Sequence, residues 1–156
     1  MPTYDIPIKK ILIAIDGSKP SLDASEQAIS LAAKYEAELI AVHVVSPDVR
    51  HGYLEDVITP GLPASLKEVV VLAMEKGQKY LDDVKQNASE NKVEVRTEVL
   101  IGGSSVVKEI VEYAEEHQID LIVIGTRGIS GIKKMLLGST ASGVLSYGQC
   151  PVLIVK

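Results

Sequence analysis

The feature that most constrains this chain is a set of short aliphatic runs with no polar alternation. Ile11-Leu12-Ile13-Ala14-Ile15 is unbroken, and Leu121-Ile122-Val123-Ile124 and Val152-Leu153-Ile154-Val155 repeat the pattern. A strand wet on one face alternates; a strand covered on both faces reads as a continuous Val/Ile/Leu run. The chain has no Trp, no Phe and six Tyr, so its core must be aliphatic. Each run ends at a turn signal. The first stops at Asp16-Gly17-Ser18, where Ser18 or Ser21 fits a helix cap and Pro20 fits the first turn.

Helical periodicity fills the gaps between the runs. Leu22, Ala28, Ile29, Ala32 and Ala33 form one predicted stripe. Glu38 to Val45 is a second strand. A polar stretch from Ser46 to Pro63 follows, with three prolines and two glycines, long enough to predict a mobile lid or partner-contact loop. Leu66, Val70, Ala73, Gly77, Leu81, Val84 and Ala88 then recur at three- and four-residue steps and predict the clearest amphipathic helix. Val93 to Ile101 alternates with Glu94, Arg96 and Glu98, which predicts an edge strand with one wet face. Gly102-Gly103-Ser104-Ser105 leads into a helix bearing Val106, Val107, Ile110, Val111 and Ala114. Asp120 to Ile124 is the fourth strand. A short helix begins near Ser139 with Ala141, Val144 and Leu145 inward, and Pro151 to Val155 is the last strand.

The order βαβαβαβαβ implies an α/β fold with a parallel sheet covered on both faces, and right-handed crossovers make it doubly wound. Ligands of such sheets bind beyond the carboxyl ends of the strands, where the strand order reverses. The loops there are Asp16-Gly17-Ser18, Val45-Ser46-Pro47, Gly102-Gly103 and the segment from Gly125.

Composition narrows the class. The 156 residues make one domain, 1–156, and 46% hydrophobic content supports a packed core. Sixteen Lys and Arg against 21 Asp and Glu give a net charge of −5, which argues against a basic nucleic-acid-binding domain. The lone Cys150 permits no intrachain disulfide and no multi-cysteine metal site. Its place before Pro151 predicts packing rather than nucleophilic chemistry. No apolar run approaches the ~20 residues of a membrane span, and Met1 to Ile8 has no secretory h-region. The expectation is a cytoplasmic protein that binds neither membrane nor nucleic acid.

The chemistry concentrates in the fourth loop, where Gly125, Gly128 and Gly138 punctuate the chain. Glycine lets backbone N–H groups approach an anion, and Gly138-Ser139-Thr140 opens a helix whose positive end favours phosphate. There is no GxxxxGK[ST] and no GxGxxG, so a plain P-loop or NAD-type enzyme is disfavoured. Lys133 and Lys134 read as a wet face. His43 lies in a buried strand and reads as a satisfied structural histidine. His117 near a helix end is explained by a dipole contact.

The spacing Gly125-x2-Gly128-x9-Gly138-Ser139 resembles the ATP-binding signature of the universal stress protein family. The resemblance covers the whole chain. It includes Lys9 to Ser18, Leu39 to Val45 with His43-Val44, Asp120 to Gly125, and Cys150 to Val155. It implies a Rossmann-like, five-stranded parallel sheet in the order 3-2-1-4-5, an ATP ligand and a homodimer. By the family's pattern, Ala14, Ile15 and Asp16 flank adenine and ribose, and Val44 covers the base. Gly125, Thr126, Arg127 and Gly128 reach the ribose and phosphates, and Gly138, Ser139 and Thr140 hold the phosphates. The resemblance also implies Mg²⁺, which would be held through the phosphates, with Asp16 as its one candidate side chain.

The resemblance implies a regulatory nucleotide-binding protein of the stress response, with a protein partner the sequence does not name. The alternative is a slow Mg-dependent ATPase, for which Asp16 and Arg127 are the candidate groups, with the reach of His51 or Glu55 open. An ATP pyrophosphatase would carry an SGGxDS loop where Ile15-Asp16-Gly17-Ser18 stands. A phospho-receiver domain would end its third strand in an acid, and Leu100-Ile101-Gly102 stands there. The apolar last strand, Pro151 to Val155, predicts a sheet edge that pairs with a second copy.

Overall fold

The computed structural model describes residues 7–46, 66–103, 105–126 and 137–156. Five parallel strands form one sheet: β1 (Lys10–Ala14), β2 (Glu38–Val45), β3 (Val95–Ile101), β4 (Leu121–Gly125) and β5 (Val152–Val155). Among the described residues, four helices connect them: α1 (Lys19–Tyr35), α2 (Leu66–Glu90), α3 (Val106–Glu116) and α4 (Ser139–Tyr147). The strand order is β3-β2-β1-β4-β5, so the direction of winding reverses between β1 and β4. Leu12 sits in register with Ile40 on one side and Ile122 on the other.

The unalternated runs of β1 and β4 are buried because both faces are covered, whereas the equally apolar run of β5 is only half-buried, with Leu153 exposed. Ile11, Ile13, Leu39, Ala41 and Val123 face α1 and α2, against Ala24, Ala28, Ile29, Leu81, Val84 and Ala88. Leu12, Ile40, Val42, Val44, Ile122 and Ile124 face α3 and α4, against Ile110, Tyr113, Ala114, Ala141 and Val144. Each fully buried aliphatic side chain contributes about 1.5–3 kcal/mol of transfer free energy. β3 alternates half-buried and exposed positions and lies at the sheet's edge, as its sequence predicts. β5 forms the other edge.

Two predicted faces need correction. Leu22 is 37% exposed and Ala33 is exposed, whereas Ser21, Ala24 and Ser25 are buried. The buried stripe of α1 runs through its small residues. Ser21 and Ser25 donate to the carbonyls of Ser18 and Leu22, which lets short hydroxyls enter the core satisfied. Leu145 is 52% exposed, not inward; α4 buries Ala141 and Val144 alone. Val93 precedes β3 and packs against the α1/α2 layer.

The edge strand β3 carries a small polar cluster. Tyr113 Oη donates to Glu98 Oε2 at 2.8 Å, and Arg96 donates to Tyr113 Oη at 3.2 Å. His117 caps α3, its ring stacked on Tyr113 and its Nδ1 2.9 Å from the Tyr113 carbonyl. That helix-end contact accounts for His117, in line with its sequence reading.

Candidate functional site

The carboxyl ends of β1 and β4 lie side by side where the winding reverses. After β1, the backbone N–H of Ile15 still donates to the Val42 carbonyl, at 2.8 Å. The chain then turns sharply. Gly17 has φ +82, the left-handed region that favours glycine. Asp16 Oδ1 accepts from the Ser18 N–H at 2.9 Å, an Asx turn. Ser18 caps α1, its side chain accepting from the Ser21 N–H at 3.3 Å, and Pro20 occupies the first turn. Ser21 Oγ is also 3.4 Å from the Asp16 N–H. Asp16 is half-buried and serves as a turn residue whatever else it does.

Gly125 ends β4 under the first turn of α1. A Cβ there would stand 2.7 Å from the carbonyl carbon and oxygen of Pro20 and 3.0 Å from the Ser21 nitrogen. The missing side chain thus lets β4 and the start of α1 approach each other. Thr126 follows, 5% exposed, its N–H donating to the Val155 carbonyl at 2.9 Å. The Thr126 carbonyl accepts from the Gly138 N–H, so the two ends of the glycine loop meet at its base.

Gly138 is the N-cap of α4, with φ −68 and ψ 162, values open to any residue. α1 and α3 have serine caps, Ser18 and Ser105; the cap of α4 makes no side-chain hydrogen bond. The first turn of a helix leaves N–H groups without intrahelical partners and carries the positive end of the dipole. Here that turn holds Ser139 and Thr140. Among the described residues, no group of three or more His, Cys, Asp or Glu is placed to hold a metal ion. Among them also, no helix is long and apolar enough to cross a membrane.

A model of the universal stress protein family matches residues 7–156. The chain belongs to the universal stress protein family. It is 43% identical over 152 residues to universal stress protein MJ0531 of Methanocaldococcus jannaschii, across 95% of this chain and 82% of that one. Its fold is similar to universal stress protein UspA from Lactobacillus plantarum, with TM-score 0.81 and 26% identity over 96% of this chain and 98% of that one. It is also similar to a universal stress protein solved in complex with cAMP, with TM-score 0.64 and 26% identity over 96% and 98% of the two chains.

Of the residues singled out from this family's pattern, Ala14, Ile15, Asp16, Gly125, Thr126, Gly138, Ser139 and Thr140 come together at the ends of β1 and β4. Val44, near the end of β2, is 4% exposed and packs in the α3/α4 layer. Arg127, Gly128, Lys133, Lys134, His51, Glu55 and the loop 47–63 lie outside the described residues. Cys150 packs against the α3/α4 layer, and burial pushes its thiol up, which suits a packing role.

The sequence reading missed what holds the turn from behind. His43 is 2% exposed, with Nδ1 2.7 Å from the Ile15 carbonyl. The neutral ring donates from Nδ1 there, because a carbonyl only accepts. Burial lowers the His43 pKa, opposed by that bond and by Asp16, and assisted by Lys76. Tyr80 of α2 meets the His43 ring edge-on, centroids 5.7 Å apart, and its own ring covers Gly17. A glycine inside an otherwise regular helix, Gly77, was the one sequence signal of this contact.

Proposed function

We propose that this chain binds ATP with Mg²⁺ across the carboxyl ends of β1 and β4, as a homodimeric regulatory protein of the stress response. The observation that carries the reading is the start of α4. A helix N-terminus with a glycine cap and no side-chain acceptor is tied through Thr126 to the strand end beside the Asp16 turn. Phosphate oxygens suit such N–H groups, and the hydroxyls of Ser139 and Thr140 add donors. Family membership and the cAMP complex of a relative support an adenine nucleotide.

In this reading Ala14, Ile15 and Asp16 flank adenine and ribose, and Val44 backs the base. Gly125, Thr126, Arg127 and Gly128 serve the ribose and phosphates; Gly138, Ser139 and Thr140 hold the phosphates. Bound Mg²⁺ would supply charge neutralisation of the phosphate oxygens. A carboxylate beside a polyanion is repulsive unless it meets a ribose hydroxyl or the cation, so Asp16 takes one of those two roles. The dimer would form through β5, whose edge position leaves backbone groups for a second copy. Sedimentation as a monomer at tens of micromolar (roughly where weak dimers form) would remove the dimer from the account.

Gly138→Val tests the phosphate cradle. The backbone at 138 is accessible to valine, so the fold should survive while the branched side chain crowds the N–H groups of the first turn. Calorimetry should show ATP binding lost in the folded variant. Parent-like affinity would sink the assignment.

A further inference from the structure

We propose that His43 is a positioning residue for the nucleotide-binding turn, coupling helix α2 to the direction in which Asp16 leaves β1. This rests on the ATP reading above and names what in this chain tunes that site.

Ile15 is the last residue before the turn, and it is clamped on both sides. Its N–H donates to Val42 at 2.8 Å, and its carbonyl accepts from His43 at 2.7 Å. The peptide joining Ile15 to Asp16 therefore cannot rotate without breaking a buried hydrogen bond, a loss that leaves an unsatisfied carbonyl. That peptide sets where the Asp16 side chain points. A histidine needing only a partner could use any nearby acceptor; this one uses the carbonyl that orients the turn.

The ring is in turn fixed by α2. A Cβ at Gly77 would collide with Cδ2 of His43, so only glycine leaves room for the imidazole against the helix. Glycine inside a helix is disfavoured relative to alanine, and here it admits the ring. One helical turn on, Tyr80 touches both partners. Its ring stands edge-on to His43, at 68°, and occupies the space a side chain at Gly17 would need. Gly77 and Tyr80 thus brace the turn from two directions, through His43 to Ile15 and directly onto Gly17. A displacement of α2 is transmitted to both ends of the turn. By linkage, nucleotide binding in turn stabilises this placement of α2.

The test compares parent, His43→Leu, His43→Asn and Gly77→Ala by amide hydrogen exchange without nucleotide and by ATP calorimetry with Mg²⁺. In His43→Leu, exchange at Asp16 and Ser18, whose N–H groups are bonded to Ser21 and Asp16, should rise at least about tenfold while β5 and α4 stay as protected as in the parent. ATP affinity should fall about tenfold, within the ~5–150-fold range of ordinary site coupling. His43→Asn, whose side-chain amide can donate near the Nδ1 position, should recover most of both. Gly77→Ala should reproduce the leucine effect without removing the donor. Unchanged exchange at Asp16 and Ser18 in Gly77→Ala and His43→Leu would overturn the proposal, as would an asparagine variant no better than leucine. A parent that binds no ATP would refute the ATP reading instead, and the exchange data would still decide whether His43 holds the turn.

Discussion

Nδ1 of His43 lies 2.7 Å from the backbone carbonyl of Ile15, so a buried imidazole in β2 holds the last peptide of β1 before the candidate site opens. Burial lowers the ring's pKa below the ordinary 6.5, which favours the neutral form. A neutral buried histidine has a fixed sign of effect on stability. Above about pH 6.5 both folded and unfolded chains hold it neutral and it adds no pH dependence. Below that value the unfolded chain takes up a proton that the folded chain resists. Stability should therefore be full above about 6.5 and fall as pH drops through 6.5 toward the lowered folded value. Urea midpoints measured from pH 7.5 to 5.5 should show this slope in the parent and a flatter one in His43→Asn. Equal slopes would mean that His43 titrates normally.

Gly125 is the next point of leverage. Its missing Cβ is where β4 meets the backbone of Pro20 and Ser21, and backbone cannot move aside as a flexible side chain can. Gly125→Ala should destabilise the protein by about 1–3 kcal/mol through overpacking. Denaturant unfolding at pH 7 measures it. A variant within ~0.5 kcal/mol of the parent would show that α1 and β4 are not pressed together as described.

Asp16 has a structural bond and a candidate binding role, and two substitutions separate them. Asn retains an oxygen to accept from the Ser18 N–H; Ala does not. Asp16→Ala should lose about 1 kcal/mol of stability with the turn bond and bind ATP about tenfold more weakly. Asp16→Asn should keep the stability and lose affinity. If that loss needs Mg²⁺, the carboxylate acts through the cation; if not, it serves the ribose. Alanine-variant binding equal to the parent would leave Asp16 as a turn residue alone.

Much of this molecule was legible in its sequence, for identifiable reasons. The unalternated runs Ile11 to Ile15 and Leu121 to Ile124 mark strands with two covered faces, and β1 and β4 are central; the apolar run of β5 lies at an edge and is only half-buried. The alternation of β3 marks an edge, and β3 is one. The Asp16-Gly17-Ser18 turn and the Ser18 cap follow from local chemistry. Other features depend on partners far apart in the chain. Ser21 and Ser25 face the core because each hydroxyl bonds the carbonyl three residues back, which an apolar count cannot see. Gly125 reads as a phosphate-loop glycine, and no local pattern shows that its missing Cβ also admits the first turn of α1. No periodicity announces that Tyr80 covers Gly17. Leu145 follows the spacing of an inward residue and is half exposed because α4 is short and buries one narrow stripe.

We propose that this family member holds an intact adenine nucleotide at the ends of β1 and β4. Titration of ATP into the nucleotide-free protein with Mg²⁺ by calorimetry, followed by chromatography of the bound nucleotide, tests it most directly. Binding should be saturable and abolished by Gly138→Val, and ATP should be recovered unchanged, with turnover well below the ~1 s⁻¹ at the lower end of typical enzymes. No binding to the folded parent, or turnover of about one per second that Asp16→Ala abolishes, would contradict it.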